Sequence, residues 1–246
     1  MSRAPSQPSN LGVLAFGDSI TNGGGELQWG VALQSWALWT ARGLGLPYTG
    51  FAIDGARIDD VLEVQIPRFE QAAPPGARYD LGCLYIGVND VRGLDWDAAA
   101  FARGFGSALR YLAARCDRTL VLTAPLDLGR PRAGAKVLDL NATITRIAVG
   151  TGALVLDLAD FRARNHVMTD HVHPTAFGQI AIAERALAVL EGDGMRVVCA
   201  PSSLITYQTT FRGRLRGDLT YAYRHAKVSL RALMLRLGGW RWQRLW

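Results

Sequence analysis

The chain has 246 residues, of which 49% are hydrophobic and 20% charged, so it can bury a full core and is neither disordered nor fibrous in composition. Three widely spaced cysteines, Cys83, Cys116 and Cys199, fit neither a disulfide framework nor a zinc-binding pattern. No apolar run approaches the roughly 18 residues of a membrane span, and residues 1–10 lack the apolar segment of an export signal. We therefore expect a cytoplasmic protein with a flexible N-terminal lead over residues 1–10.

The positive charge is concentrated towards the end of the chain. Residues 195–246 hold ten Lys and Arg against one acidic residue, whereas residues 1–194 hold seventeen against twenty. The net charge of +6 is therefore the sum of a tail of +9 and a main part of −3, so the basicity describes the tail. We predict a main domain over residues 11–194 and a separate basic extension over residues 195–246.

Short apolar runs alternate along the main domain with segments in which apolar residues have helical spacing. The predicted elements, in chain order, are a strand at 11–16, a helix at 29–45, a strand at 48–54, a helix at 58–71 disturbed near its end by Pro67, a strand at 79–90, a helix at 97–115, a strand at 119–125, a helix at 135–149, a strand at 153–159 and a helix at 175–191. Continuous apolar strands need helices on both faces, so we predict a three-layer α/β/α fold around a five-stranded parallel sheet. Right-handed crossovers then place the loops that follow the strands at one edge, where ligand groups collect.

Residues with catalytic chemistry follow four of the predicted elements. Ser19 comes after the first strand in "GDSIT", Gly55 after the second, Asn89 at the end of the third in "GVND", and Asp170 and His173 after the fifth in "TDHVHP". A serine, a histidine and an aspartate supply a nucleophile, a base and an orienting group, while a glycine amide and an asparagine side chain supply donors to an oxyanion. Taken alone, "GDS" is more often only a turn, "GVND" is also typical of a strand end, and the D-x-x-H pair is also typical of a helix cap. Their order and their common edge favour a catalytic interpretation of the set.

Two histidines in the last motif, His171 and His173, are separated by one residue, and two interpretations follow. In an extended segment both rings would face one metal ion, but Pro174 at the first position of a helix predicts a turn instead. In a turn the Asp170 carboxylate reaches Nδ1 of His173 and leaves Nε2 free to accept the proton of Ser19. No third and fourth ligand accompany the pair, so we predict neither a metal nor a cofactor and interpret His171 as a solvent-facing or substrate-side neighbour.

Other residues near these motifs have structural interpretations. Asp18 is expected to accept hydrogen bonds from backbone amides and stiffen the nucleophile loop, and Cys83 to be a small buried apolar residue. The loop at 21–30 is rich in glycine and ends near Trp29, which is predicted to form an aromatic wall. Trp36 and Trp39 have helical spacing, which favours a place in the core.

With these motifs the chain resembles the SGNH hydrolase family, also called the GDSL esterases and lipases, over about residues 11–191. The four blocks of that family match "FGDSIT", the glycine of "IDGA", "GVND" and "DHVHP". The resemblance implies a flavodoxin-like sheet and hydrolysis of an ester or related acyl bond without a metal. It also implies that Ser19 is the nucleophile, that His173 is the base, and that the amides of Ser19 and Gly55 with the side chain of Asn89 form the oxyanion hole. The second block departs from the family pattern, which often has an asparagine a few residues before the glycine.

The predicted function is that of a serine esterase acting on a small-molecule acyl ester, with an acetyl or short acyl group. An acyltransferase would use the same serine with an alcohol in place of water, and a lysophospholipase or lipase-type enzyme would be brought to a membrane by the basic tail. A non-catalytic binding module is expected to lack part of the triad, and every part is present. The sequence does not distinguish hydrolysis from transfer, since only the access of water differs.

The extension has the pattern of an amphipathic helix over residues 218–237. One stripe carries its apolar residues: Leu219, Ala222, Tyr223, Ala226, Leu230, Leu233, Met234 and Leu237. Asp218 is predicted to begin the helix and Gly238 to end it, and the last seven residues, "WRWQRLW", hold three tryptophans. We favour packing of the stripe on the main domain or on a second copy in a homodimer. The alternative is peripheral contact with an anionic membrane, whereas nucleic-acid binding is not expected because no recognisable reading module accompanies the charge.

Overall fold

A computed structural model describes residues 10–207 and 210–237. The predicted lead, apart from Asn10, therefore lies outside the described residues, as do the predicted helix end at Gly238 and the terminal tryptophans. The five strands are β1 (Val13–Gly17), β2 (Tyr48–Gly50), β3 (Tyr79–Tyr85), β4 (Cys116–Leu122) and β5 (Leu154–Leu156). They form one parallel sheet in the order β2-β1-β3-β4-β5, which confirms the predicted flavodoxin-like topology.

Helices cover both faces of this sheet, as predicted. They are α1 (Ser19–Asn22), α2 (Trp36–Leu44), α3 (Ile58–Asp60), α4 (Ile66–Ala72), α5 (Val88–Arg92), α6 (Ala98–Ala113), α7 (Lys136–Thr151), α8 (Ala176–Gly192) and α9 (Phe211–Leu237). Helices α2 and α8 pack against each other, and α6 packs against α7 and α3. All five residues of β1 are buried, because neither face of this central strand is open to water.

Most predicted bounds shift by a few residues, and two elements differ by the largest margins. The strand predicted at 79–90 ends at Tyr85, and a short helix begins at Val88. Gly87 causes the break: its φ is +112°, and a Cβ there would lie 2.7 Å from the Leu140 side chain. The helix predicted at 29–45 begins only at Trp36, where Ser35 caps it by accepting a hydrogen bond from the Leu38 amide.

The helix that contains Pro67 is irregular before the proline, whereas the prediction placed the disturbance near the end of the helix. The helical segment runs on to Ala72, and the irregularity is a π-helical turn at Val61–Gln65 that precedes the proline. A proline has no amide hydrogen to bond back to the preceding turn, and a widened turn accommodates the missing bond.

The segment after α8 is tied to the main domain before the last helix begins. The amide of Val198 donates to the Gly43 carbonyl at 2.8 Å, and Pro201 is buried. Helix α9 begins at Phe211, so the prediction that Asp218 begins the helix is wrong; Asp218 lies about two turns inside and forms an ion pair with Arg164. Among residues 10–207 and 210–237, no helix is long and apolar enough to cross a membrane.

Candidate active site

The loop after β1 presents Ser19 at the first position of α1. Gly17 precedes it with a φ of +154°, and a Cβ there would meet the Tyr85 carbonyl at 2.5 Å. Asp18 caps the helix, accepting a hydrogen bond from the Ile20 amide at 2.9 Å, which confirms its predicted structural role. The chain thus turns sharply between strand and helix, and the turn places the serine at the carboxyl-end edge of the sheet.

The structure brings Ser19, His173 and Asp170 into one chain of contacts. The Oγ of Ser19 lies 3.0 Å from Nε2 of His173, although the two residues are 154 positions apart. On the other side of the ring, Nδ1 of His173 lies 2.7 Å from Oδ2 of Asp170. The second oxygen of Asp170 accepts hydrogen bonds from the amides of Val172 and His173, so the carboxylate is fixed in the turn that precedes α8. A carboxylate on Nδ1 favours the tautomer whose Nε2 is unprotonated and faces the hydroxyl.

These contacts set the charge of the His–Asp pair. The hydrogen bond to Asp170 raises the pKa of His173 above its ordinary value, against the opposing effect of burial. Burial alone would raise the pKa of Asp170, but the hydrogen bonds from His173 and from the two amides outweigh it and lower that pKa. Asp170 is therefore a carboxylate at neutral pH, and the imidazole is more basic than a free histidine.

Two further carboxyl groups lie behind the nucleophile. Asp18 is fully buried, which raises its pKa to about 7, and the charges of His173 and Asp90 also act on it. Asp90 accepts a hydrogen bond from the Ile58 amide at 3.1 Å. One oxygen of each carboxyl group has no hydrogen-bond partner among the described residues. The charge of Asp18 therefore changes with pH in the neutral range, and this charge acts on the nearby imidazole of His173.

The other residues that the sequence assigns to the site lie on two loops beside the nucleophile. Gly55 is exposed in the loop after β2, and Asn89 lies in the first turn of α5. The Nδ2 group of Asn89 donates to the Ala56 carbonyl at 3.0 Å, which joins the two loops. The Nδ2 group of Asn22, at the end of α1, donates to the Asp54 carboxylate at 2.9 Å. This bond joins the loop after β2 to the helix that begins with Ser19.

Two buried glutamines hold the nucleophile loop, and the sequence interpretation did not identify them. Gln65 exchanges two hydrogen bonds with the backbone of Gly17, at 2.9 and 2.8 Å. Gln179 donates to the carbonyls of Ile20 and Gly24 and accepts from the Trp36 amide. Both glutamines lie on the faces of their helices that are buried in the core. A glutamine within an apolar helical stripe predicts a buried amide that needs hydrogen-bond partners, and this pattern could have identified them from the sequence.

His171 has a different environment from the one predicted. Its side chain is only 13% exposed, and Nδ1 lies 2.9 Å from the Asp127 carboxylate, so its interpretation as a solvent-facing neighbour is wrong. Its carbonyl accepts a hydrogen bond from the Gly129 amide at 2.8 Å. Burial and the nearby Arg130 lower the pKa of His171. The residue therefore fastens the loop at 127–132 to the turn that carries His173.

The tryptophans near the nucleophile divide into two groups. Trp36 and Trp39 are buried, which confirms their predicted place in the core. Trp29 stacks on Tyr207 at a centroid distance of 6.2 Å and meets the edge of Phe177 at 5.4 Å. It lines a cavity of about 300 Å³ between α9 and the loops at 26–29 and 164–169, and neither Ser19 nor His173 lines that cavity.

Metal ligands do not gather in the part of the chain that the structure describes. In residues 10–207 and 210–237, no group of three or more His, Cys, Asp or Glu side chains is arranged to hold an ion. Cys83, the cysteine within β3, is fully buried, and burial raises the pKa of its thiol. It is the small buried residue that the sequence predicts.

Comparison with known proteins gives similarities in sequence and in fold. The family model described as "GDSL-like Lipase/Acylhydrolase family" matches residues 15–180. No curated protein sequence matches the chain at a significant level.

Three solved structures illustrate the similarity in fold. An acetylxylan esterase from Geobacillus stearothermophilus is 18% identical with a TM-score of 0.57, over 78% of this chain and 100% of that one. A member of the lipolytic G-D-S-L family from Veillonella parvula is 20% identical with a TM-score of 0.59, over 73% and 97% of the two chains. An alpha/beta hydrolase enzyme from the metagenome of Lake Arreo, Spain, is 19% identical with a TM-score of 0.56, over 73% and 94%.

Proposed function

The chain belongs to the GDSL-like lipase/acylhydrolase family, and on this premise we propose that it is a serine esterase that forms an acyl-enzyme on Ser19. The observation that carries the proposal is the chain of contacts from the Ser19 hydroxyl through His173 to Asp170, at 3.0 and 2.7 Å. A serine hydroxyl is a weak nucleophile until a base accepts its proton, and these distances are within reach of such a transfer.

In the first half of the reaction, Oγ of Ser19 attacks the ester carbonyl carbon while Nε2 of His173 takes the hydroxyl proton. The carbonyl π electrons move to the oxygen, and their return breaks the bond to the leaving alcohol, which receives the proton from His173. In the second half, water attacks the acyl carbon and gives a proton to His173. The bond to Oγ breaks, the acid leaves, and the proton returns to Ser19. Asp170 stabilises the imidazolium in both halves and stays ionised, in keeping with its lowered pKa.

The developing oxyanion needs donors that are already in place. We assign the amides of Ser19 and Gly55 and the Nδ2 group of Asn89 to this role, as the resemblance to the family implies. The Nδ2 group has two N–H bonds, so the bond to the Ala56 carbonyl leaves one for a ligand. The same bond fixes the orientation of the amide before substrate arrives, which is the condition for effective electrostatic stabilisation.

The proposed substrate class is a small ester with an acetyl or short acyl group. The reaction type is supported by the family model, and the acetyl group is suggested by the acetylxylan esterase, which shares the fold at 18% identity. Attack by water gives the acid, and attack by an alcohol would give a new ester from the same acyl-enzyme. The products from p-nitrophenyl acetate with and without an added alcohol separate hydrolysis from transfer.

The test of the proposal uses a fluorophosphonate probe and p-nitrophenyl acetate. We expect the wild type to be labelled and to hydrolyse the ester, and Ser19→Ala to lose both properties. Ser202→Ala is the matched control, because that serine is exposed in the turn at Pro201–Leu204 and its amide bonds to Glu184 in the middle of α8. Labelling of Ser19→Ala at the wild-type rate would refute the assignment of the nucleophile.

A second candidate, lipase-type hydrolysis of a lipid ester, is favoured by the position of α9. This helix contacts Arg164 and His171, which lie in the loop between β5 and α8 that also carries His173. A series of p-nitrophenyl esters from acetate to palmitate discriminates the two candidates. A short-chain esterase loses kcat/KM as the chain grows, whereas a lipase-type enzyme gains it.

A further inference from the structure

Helix α9 rests on the main domain along one of its faces. Tyr221 lies under the guanidinium of Arg164 at 5.0 Å, and the ring of His225 lies 5.7 Å from that of His171. Ala232, further along the same face, is 9% exposed. The spacing of four and seven residues places these three on one side of a helix, so this side faces the protein.

Two ion pairs fasten the first half of the helix. Asp218 pairs with Arg164 at 2.5 Å, and Arg224 pairs with Glu26. Glu26 belongs to the loop that follows the nucleophile helix, and its carbonyl accepts a hydrogen bond from Ala176 at the start of α8. The helix is therefore anchored to loops at the catalytic edge of the sheet.

The large apolar side chains of the stripe in α9 lie to one side of these contacts. Six of its large apolar side chains are between 49% and 74% exposed: Phe211, Leu215, Leu219, Tyr223, Leu230 and Leu233. At about 100° per residue they fall within an arc of about 120°, whose centre lies about 120° to 140° around the helix from Ala232 and Tyr221. Leu233, although exposed, also lines a pocket beside the loop at 130–132. The stripe that the sequence predicts therefore does not pack on the main domain. Exposure of a large apolar stripe to water is unfavourable, so we expect a binding partner to cover it.

Positive charge lies beside the stripe. Arg216, Lys227 and Arg231 are exposed along one margin of it, between the apolar arc and the face that contacts the protein. The wider extension, residues 195–246, has ten Lys and Arg against one acid, and three tryptophans follow the helix in sequence. An apolar stripe with a basic margin is the pattern of helices that lie in the interface of an anionic membrane.

A second copy of the chain is a poorer occupant for electrostatic reasons. Pairing two such stripes would bring together two extensions that each carry a net charge of +9. Like charges at short range oppose association of two copies. An anionic membrane surface instead attracts each basic side chain.

We propose that α9 binds the surface of an anionic membrane, with the apolar stripe among the acyl chains and Arg216 and Lys227 at the phosphate groups. The helix lies parallel to the surface, and the main domain stays on the aqueous side. Because the helix is anchored to the loops at 26–29 and 164–171, the catalytic edge then lies beside the bilayer. The binding surface does not depend on the proposed function, since none of its residues belongs to the Ser19–His173–Asp170 group.

The experiment measures co-sedimentation of the full chain with vesicles. We expect binding to an equimolar mixture of phosphatidylcholine and phosphatidylglycerol, weak binding to phosphatidylcholine alone, and release by salt. Leu219→Ser with Leu230→Ser should lower the partition coefficient at least about 10-fold, and Arg216→Gln with Lys227→Gln roughly 10-fold or more.

Matched controls alter equally exposed residues elsewhere on the surface. Leu94→Ser with Val149→Ser removes apolar side chains that are 85% and 73% exposed, and Arg68→Gln with Arg146→Gln removes two exposed cations. Both control pairs should bind like the wild type. Circular dichroism and hydrolysis of a soluble ester check that every variant is folded.

Three results would overturn the proposal. The wild type could stay in the supernatant with anionic vesicles, or the leucine pair could sediment as well as the wild type. Sedimentation velocity could instead show a dimer that the leucine pair dissociates, which would assign the stripe to a second copy. A catalytically silent Ser19→Ala variant that still sediments would separate failure of the proposed function from failure of this surface.

Discussion

The imidazole of His173 is acted on by two carboxyl groups that differ in their solvent exposure. Asp170 is half-buried, hydrogen-bonded to Nδ1 and to two amides, and ionised at neutral pH. Asp18 is fully buried and changes its charge near pH 7. Both raise the pKa of the imidazole when they are charged. The basicity of His173 is therefore set mainly by Asp170 and modulated by Asp18.

The first prediction concerns Asp170. Because the pKa of His173 is raised, kcat/KM for p-nitrophenyl acetate should fall with decreasing pH at a higher pH than an ordinary histidine would give, as the imidazole is protonated and no longer acts as a base. Asp170→Asn should lower kcat/KM by roughly 10³- to 10⁴-fold and move this acid limb to lower pH, since the pKa of the imidazole falls without the carboxylate. A pH–rate profile measures both effects, and an acid limb that stays in place would contradict the assignment.

The second prediction concerns Asn89. Asn89→Ala should lower kcat by roughly 100- to 1000-fold with little change in KM, because an oxyanion donor acts mainly in the transition state. The same change removes the hydrogen bond to Ala56, and thermal unfolding of the variant measures that separate cost. Unchanged kcat for p-nitrophenyl acetate would show that Asn89 only joins the two loops.

The third prediction concerns Asp18. Its pKa is raised from 3.8 to about 7, so the folded state binds a proton that the unfolded state has lost, and this group makes stability fall as the pH rises between those values. Asp18→Asn keeps an acceptor for the Ile20 amide and removes the buried charge. At about pH 8 the variant should gain up to about 4 kcal/mol in free energy of unfolding relative to the wild type, and the gain should vanish at about pH 3.

Urea unfolding at the two pH values measures this difference. The same variant should also lower the pKa of His173 slightly, because one of the charges that raises it is gone. Equal stability of the two proteins at both pH values would show that Asp18 does not titrate in this range.

Among the elements, the junction of β1, α1, α2 and α8 determines where the nucleophile lies. Gln179 of α8 forms three hydrogen bonds at this junction, to the backbone of Ile20, Gly24 and Trp36. The glutamine therefore supplies hydrogen-bond partners to buried backbone groups that no strand or helix satisfies. It also connects the helix that follows His173 to the helix that begins with Ser19.

The fourth prediction follows from this junction. Gln179→Leu should lower the free energy of unfolding by about 3 kcal/mol or more, because it leaves buried backbone groups without partners. It should also lower kcat, since the position of α1 relative to His173 is no longer fixed. Gln71→Leu, at an exposed position of α4, is the control and should change neither quantity. Chemical denaturation and ester hydrolysis of the two variants provide the comparison.

At the scale of the whole molecule, the chain after α8 has two parts with different attachments. Residues 195–204 pack on the main domain: Met195 and Val197 lie against the core and Pro201 is buried. Helix α9 contacts the rest mainly through ion pairs and a few rings, and exposed ion pairs contribute little to stability. The first part is therefore expected to stabilise the fold, and the second to be dispensable for it.

The fifth prediction compares two truncations. A chain ending at residue 207 should keep a melting temperature close to that of the full chain and its activity on soluble esters. A chain ending at residue 194 should melt roughly 5–10 °C lower, because it loses the apolar contacts of the first part. Equal melting temperatures would place the domain boundary at residue 194, which is the sequence prediction and remains a prediction until this comparison is made.

The sequence by itself determined the order and type of the main elements, the parallel topology and the group of Ser19, His173 and Asp170. These follow from local patterns: apolar runs such as 11–16 need cover on both faces, and a serine or histidine at a strand end lies at the catalytic edge in any such sheet. The D-x-x-H spacing likewise gave the Asp170–His173 contact, because both partners lie within one turn.

Only the tertiary structure decided the features that depend on distant neighbours. The end of β3 at Tyr85 goes with the positive φ of Gly87, which packs beside Leu140 of a helix distant in sequence, and the pairing of His171 depends on Asp127. Helical spacing likewise predicted the apolar stripe of α9. It did not predict whether the stripe faces the main domain or the solvent, because periodicity shows which residues share a face and not which surface that face contacts. That direction was set by Tyr221, His225 and Ala232, whose partners come from loops that are distant in sequence.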